Sequence, residues 1–176
     1  MNMQLAFSFD VSRCSGCMAC IVACLDQNDL PGNGHSFRHV NSFENVGLST
    51  PSISWLSISC LHCGDAPCVM VCPTRALVKR ESDGIVVVSP DLCVGCHSCV
   101  LACPFGAPQF PDGQKMAKCD FCLPRVEAGL EPACVRVCPT KALGFGPVER
   151  LEEKRADKAS KMILKSLAGG SGTLTG

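Results

Sequence analysis

A chain of 176 residues suffices for one domain or two small ones, and with eight Phe, one Trp and no Tyr it has little with which to build a large conventional core. Sixteen Lys and Arg offset sixteen Asp and Glu, so net charge is zero and the basic footprint of a nucleic-acid-binding protein is missing. Mean hydropathy is +0.22, yet no apolar run nears the ~18 residues of a membrane span, and Met1 to Val11 carries no charged n-region, apolar stretch or twin arginine.

In chain order, Phe7–Asp10 reads as a short strand leading into Cys14, Cys17, Cys20 and Cys24, spaced C-x2-C-x2-C-x3-C. Residues 25–59 form an insertion with a turn at Pro31-Gly-Asn-Gly34 and an alternating segment, Ile53–Ile58, expected to be a covering strand and loop. A second group, Cys60, Cys63, Cys68 and Cys72, widens the middle gap. Ala76–Arg80 and the β-branched Gly84–Ser89 flank a Ser82-Asp83-Gly84 turn, which predicts a hairpin. Cys93, Cys96, Cys99 and Cys103 repeat the first spacing. Cys119 and Cys122 open a fourth group, which closes with Cys134 and Cys138 after residues 123–133. Ala142–Phe145 matches the first strand, and from Pro147 a charged helix begins, with Ala159, Met162, Ile163 and Leu167 along one face. Gly169-Gly170 would cap it, and Ser171–Gly176 is expected to be a disordered end.

Every cysteine group ends in C-x3-C, and three are followed at once by Pro73, Pro104 or Pro139. That run is the bacterial ferredoxin signature, in which three thiolates hold one cubane and the fourth reaches its neighbour. A disulfide scaffold does not space three cysteines at i, i+3 and i+6, where neighbours compete for one partner. Zinc ribbons present two C-x2-C pairs separated by a longer loop, which only the fourth group resembles. Sixteen thiolates at four per cluster therefore predict four 4Fe-4S clusters. The repeating unit of strand, cysteine loop, short helix, turn and strand is a ferredoxin half, so the predicted fold is α+β. It comprises two ferredoxin-like modules with short hairpins and short helices over residues 1–147, followed by an amphipathic helix and flexible tail over 148–176. Such a helix packs most simply on its own domain; docking onto a partner is the alternative.

A cubane whose irons all carry cysteine offers substrate no open site, so no catalytic residue is expected. His62 and His97 lie inside motifs, but with every ligand place filled they read as packing or hydrogen-bonding neighbours. His35 and His39 are expected at the surface, and Asp65, Asp91 and Asp120 in turns or caps. Lys118, Arg136 and Lys141 stand beside ligands, where a cation either raises a cluster's potential or is ordinary surface charge. Gly144 and Gly146 form a G-x-G with no helix and third glycine after it, so no nucleotide, flavin or nicotinamide site is predicted.

The motif wording is more specific than a generic ferredoxin. Cys60-Leu-His-Cys63 with Ala66-Pro67-Cys68 and Cys72-Pro73-Thr74, Ala102-Cys103-Pro104-Phe105-Gly106, and Lys118-Cys119-Asp120-Phe121-Cys122 with Cys138-Pro139-Thr140 resemble the iron–sulfur subunits of molybdenum and tungsten oxidoreductases. The resemblance, to the dimethyl sulfoxide reductase and polysulfide reductase type, covers about residues 5–147. It implies that motifs 1 and 4 share one module and motifs 2 and 3 the other. Cluster A would then be held by Cys14, Cys17, Cys20 and Cys138, and cluster B by Cys24, Cys119, Cys122 and Cys134. Cluster C would take Cys60, Cys63, Cys68 and Cys103, and cluster D Cys72, Cys93, Cys96 and Cys99. The resemblance further implies a non-catalytic relay between a large molybdenum- or tungsten-pterin catalytic subunit and another redox partner, such as a flavin, ferredoxin or quinone-linked subunit. The alternative is a free-standing polyferredoxin. The expected location is the cytoplasm, or the periplasm through co-export with a Tat-signalled partner.

Overall fold

The computed structural model describes residues 3–31, 35–45, 52–111, 113 and 115–169. The expected turn at Pro31–Gly34 falls largely outside these residues, as do the Gly170 half of the helix cap and the 171–176 tail. Strand β1 (Leu5–Phe9) runs into a 3-10 turn at Val11–Arg13, where Asp10 Oδ1 accepts from the Ser12 amide at 3.2 Å. The first cysteine loop then reverses through Gly16 and Met18, both at positive φ, into helix α1 (Ala19–Gln27). Strands β2 (Arg38–Asn45) and β3 (Ser52–Ser59) form an antiparallel hairpin, with Val40 opposite Ser57. The covering strand expected at Ile53–Ile58 is thus one arm of a pair whose other arm has no sequence signal.

Helix α2 (Pro67–Met70) starts on a proline, which lacks the N–H that a first helical turn leaves unpaired. Strands β4 (Leu77–Lys79) and β5 (Val86–Val88) are the anticipated hairpin, with Asp83 Oδ1 accepting from the Ile85 amide at 3.0 Å in its turn. Helix α3 (Ser98–Ala102) follows the third cysteine loop, in which Gly95 and His97 repeat the positive φ of Gly16 and Met18. Helices α4 (Leu123–Glu127) and α5 (Ala133–Arg136) lie within and after the insertion of the fourth motif. Strand β6 (Leu143–Pro147) returns to β1 in antiparallel register, Leu5 opposite Pro147 and Phe9 opposite Leu143. This pairing brings the first and last cysteine groups side by side, an outer pair of motifs flanking an inner pair in the sequence.

Small apolar clusters built around cysteines stand where a single large core would be. Cys20, Cys134 and Cys138 pack with Val135, Ala142 and Leu143 in the outer module; Cys68 and Cys99 pack with Leu77, Val86 and Met116 in the inner one. A third cluster, Cys24, Phe37, Cys60 and Cys119, joins cysteines of both modules. Phe121 completes the junction with Leu5 and Ile85.

Helix α6 (Val148–Gly169) departs from expectation. Its first turn is tied down, since the Val148 amide donates to the Gln4 carbonyl at 2.9 Å, and Lys158 pairs with Asp10. Beyond that, Met162, Ile163, Leu164 and Leu167 are exposed, so the apolar face is not packed on the helix's own domain.

Candidate iron–sulfur site

The cysteine loops owe their shape to left-handed backbone at set positions, which turns each loop about its sulfurs. At Gly16 the reason is also steric. A Cβ there would stand 2.3 Å from the Trp55 ring, because the β2–β3 hairpin lies directly on the first loop. Gly16→Ala is expected to cost ~1–2 kcal/mol for the left-handed backbone alone and to push the indole aside. Since the protein has one Trp, a change in its fluorescence reads the displacement directly, and an unchanged spectrum would show that the loop accommodates the methyl.

None of the sixteen cysteines is in a disulfide. Cys14, Cys17, Cys20 and Cys138 line one pocket, with Phe9, Val40 and Leu143 as apolar wall. Cys60, Cys63, Cys68 and Cys103 line a second, with His62, Val86 and Lys118. Cys72, Cys93, Cys96 and Cys99 line a third, with Leu77, Val88 and Met116. The remaining four are neighbours too. The Cys24 thiol is pushed up to about 12 by burial, then by the thiols of Cys134 and Cys122, and burial likewise raises Cys119, with Cys24 and Cys60 beside it. Each set draws cysteines from two motifs.

The four sets also adjoin in order. Cys20 of the first feels Cys134 of the second, Cys119 of the second feels Cys60 of the third, and Cys99 of the fourth feels Cys68 of the third. Exposed thiols occur only at the two ends of this row, at Cys17 and Cys96.

Thiols this buried favour their protonated forms, and ligation by a metal centre displaces those protons. Among the described residues, no three His, Cys, Asp or Glu side chains converge closely enough to hold a single metal ion. Four thiols spread around an apolar cavity suit a cubane better than one tetrahedral zinc. The residues present therefore fit 4Fe-4S clusters.

Cys72 and Cys138 have matching surroundings. Burial raises the Cys72 thiol, but the Leu77 amide, the Thr74 hydroxyl and the Ala76 amide together hold it below its ordinary value. At Cys138 burial is likewise overcome, by the Leu143 amide, the Thr140 hydroxyl and the Ala142 amide. The shared sequence Cys-Pro-Thr-x-Ala-Leu thus builds one sulfur-stabilising turn twice.

His62 is buried, which pushes its imidazole down to about 2, with Lys118 and Lys79 adding to the effect. Its Nδ1 accepts from the Val86 amide at 3.0 Å, so the ring packs and positions the hairpin. His97 stacks on Phe110, 3.8 Å between centroids. His39 is half-buried, 3.1 Å from Gln109 Nε2, and so less exposed than the sequence suggested. Asp120 caps its turn by accepting from the Cys122 amide at 2.8 Å, while Asp65 and Asp91 are exposed. Of the three cations beside ligands, Arg136 and Lys141 are exposed and Lys118 is enclosed. Sequence reading missed Arg38, Ser57 and Ser59, buried residues of the covering hairpin that no motif marks.

The 4Fe-4S dicluster domain family matches residues 52–148 and, with a second profile, 13–77. The B subunit of anaerobic dimethyl sulfoxide reductase from Escherichia coli is 44% identical over 169 residues, covering 91% of this chain and 82% of that protein. Thiosulfate reductase electron transfer subunit PhsB of Salmonella typhi is 42% identical over 158 residues, covering 88% and 82%. Protein NrfC of Escherichia coli is 43% identical over 142 residues, covering 80% of this chain and 64% of its own length.

Proposed function

Since the chain belongs to the ferredoxin-like 4Fe-4S dicluster family that includes the B subunit of dimethyl sulfoxide reductase, we propose that it relays electrons through four clusters between a molybdenum- or tungsten-pterin catalytic subunit and a second redox partner. Membership in that family makes it an electron-transfer subunit and not a catalytic one. In this reading cluster A takes Cys14, Cys17, Cys20 and Cys138; cluster B takes Cys24, Cys119, Cys122 and Cys134; cluster C takes Cys60, Cys63, Cys68 and Cys103; cluster D takes Cys72, Cys93, Cys96 and Cys99.

The observation that carries the reading is the set of three separate cavities, each lined by four thiols of two different motifs. When bound, such clusters supply one-electron steps. The chain's own part is to ligate every iron, to keep water away with Val40, Leu143, Val86 and Met116, and to hold neighbouring sets in contact. With exposed thiols at Cys17 and Cys96, clusters A and D are the ones that meet outside partners. Among the described residues no helix is long and apolar enough to cross a membrane. In this reading the relay works at a protein partner, in the cytoplasm or, after joint export, in the periplasm.

Anaerobic purification followed by iron and sulfide analysis tests the cofactor content, with roughly sixteen iron atoms per chain expected. Co-purification tests the role. A large pterin-bearing subunit should accompany the chain, whereas a fully loaded chain that runs alone would make it a diffusing polyferredoxin.

A further inference from the structure

Two cations are enclosed where the modules meet. Arg38 is 2% exposed and Lys118 4% exposed. Arg38 Nη1 and Nη2 donate to the hydroxyls of Ser57 and Ser59 at 3.1 and 2.8 Å, and the guanidinium lies 4.9 Å from the centroid of the Phe7 ring. Lys118 Nζ donates to the main-chain carbonyls of Val86 and Cys119. Among the described residues neither side chain forms an ion pair; those present involve Arg80, Lys158 and Lys161. An enclosed charge is costly unless an opposite charge faces it, and a guanidinium does not escape by losing its proton.

Cysteine thiols are among the acidic groups that these charges act on. Arg38 acts on Cys20, Cys24 and Cys119, and Lys118 on Cys60 and Cys68. Ser57 links Arg38 to the adjoining set, its hydroxyl 3.6 Å from Cys20 Sγ, while the Phe7 ring beside the guanidinium packs against the cluster of Cys24 and Cys119. The two placements are equivalent. Ser59, which holds the guanidinium, stands one residue before Cys60, and Lys118 stands one residue before Cys119. Each cation is anchored beside the first cysteine of a motif in one module and faces sulfurs of the other.

We propose that Arg38 and Lys118 are fixed counter-charges for the two inner clusters, Arg38 for the set of Cys24, Cys119, Cys122 and Cys134 and Lys118 for the set of Cys60, Cys63, Cys68 and Cys103, and that they raise the reduction potentials of both. The proposal rests on the cluster reading above. Each electron taken up adds one negative charge to a cluster, so a nearby positive charge in low dielectric stabilises the reduced form more than the oxidised one. A transfer from an outer to an inner cluster oxidises the donor by one electron and reduces the acceptor by one. No proton or further reactant is required.

EPR-monitored redox titration of the full chain in its native complex tests this, comparing the unaltered protein with Arg38→Met, Arg38→Lys, Lys118→Met and Lys118→Arg. Arg136→Met and Lys141→Met, at exposed cations beside ligands, serve as controls whose charges water and salt screen. Each inner Met variant should shift the reduced-to-oxidised ratio of one cluster at least tenfold toward oxidised at a fixed solution potential, a fall of ~59 mV for one electron. The charge-keeping variants and the surface controls should move far less. Met variants with full iron and unshifted potentials would overturn the proposal. Should the Met variants lose iron, retention by Arg38→Lys and Lys118→Arg supports a charge requirement, and loss from both kinds overturns it in favour of packing. Iron analysis of the unaltered protein reports separately on whether clusters are present at all.

Discussion

Replacing Cys24 with serine should remove cluster B and leave cluster A in place, although both draw on the same helix. Cys20 and Cys24 lie four residues apart on α1, yet Cys20 lines the cavity of Cys14, Cys17 and Cys138 while Cys24 faces Cys122 and Cys134. A C-x3-C spacing on a helix puts both sulfurs on one side, one turn apart, so a single helix feeds two neighbouring sites. The expected result is loss of about a quarter of the iron and of one EPR signal, with the signal that depends on Cys14 retained. Loss of the Cys14-dependent signal alone would refute the crossed assignment. The effect should extend to stability, because Cys24 belongs to the cluster with Phe37, Cys60 and Cys119 that joins the modules.

Phe121→Ala should have the largest effect among changes that touch no ligand. Phe121 is 0% exposed. Its ring stacks on Phe7 at 4.1 Å, meets the edge of His62 at 5.2 Å and lies 6.3 Å from Phe145. Phe7 and Phe145 face each other across β1 and β6, whereas His62 belongs to the inner module, so this one ring fills the seam. Truncation to alanine is expected to cost about 3–5 kcal/mol, as deep aromatic deletions do. Phe121→Leu, which restores much of the volume, should cost far less. The denaturant midpoint for loss of visible cluster absorbance, measured anaerobically, compares the two. Equal midpoints for Phe121→Ala and the unaltered protein would mean that the seam is held by the clusters and the backbone alone.

How much of this could be read in advance depended on whether the signal was local. The strand pairs flanking the cysteine loops were legible because β-branched runs and turn residues sit next to each other, as in Ser82-Asp83-Gly84 before Ile85–Val88. The long helix was legible from its periodicity, but not the exposure of its apolar face, since a stripe of Met162, Ile163 and Leu167 does not say what covers it. Strand β2 was illegible. Its sequence, Arg-His-Val-Asn-Ser-Phe-Glu-Asn, lacks a sustained apolar alternation. The buried role of Arg38 went unseen with it. Lys118, Arg136 and Lys141 are equivalent in sequence, each close to a ligand, and only the third dimension separates the enclosed one from the two in solvent. At the site, cysteine spacing carries the chemistry, while the hydroxyls and cations that surround the sulfurs come from distant segments.

The pairing of β1 with β6 also bears on how the molecule is made. Residues 60–103 lie together in the sequence and hold every thiol of the inner module, whereas the outer module needs Cys14 to join Cys138 across most of the sequence. On a polypeptide synthesised from its N-terminus, and folding module by module, the inner sites are available for metal while Cys14, Cys17 and Cys20 still wait for their fourth partner. Long-range closure of this kind is slow. On the proposed cluster assignment the outer module is therefore expected to mature last, its loading marking a subunit whose interior is already furnished.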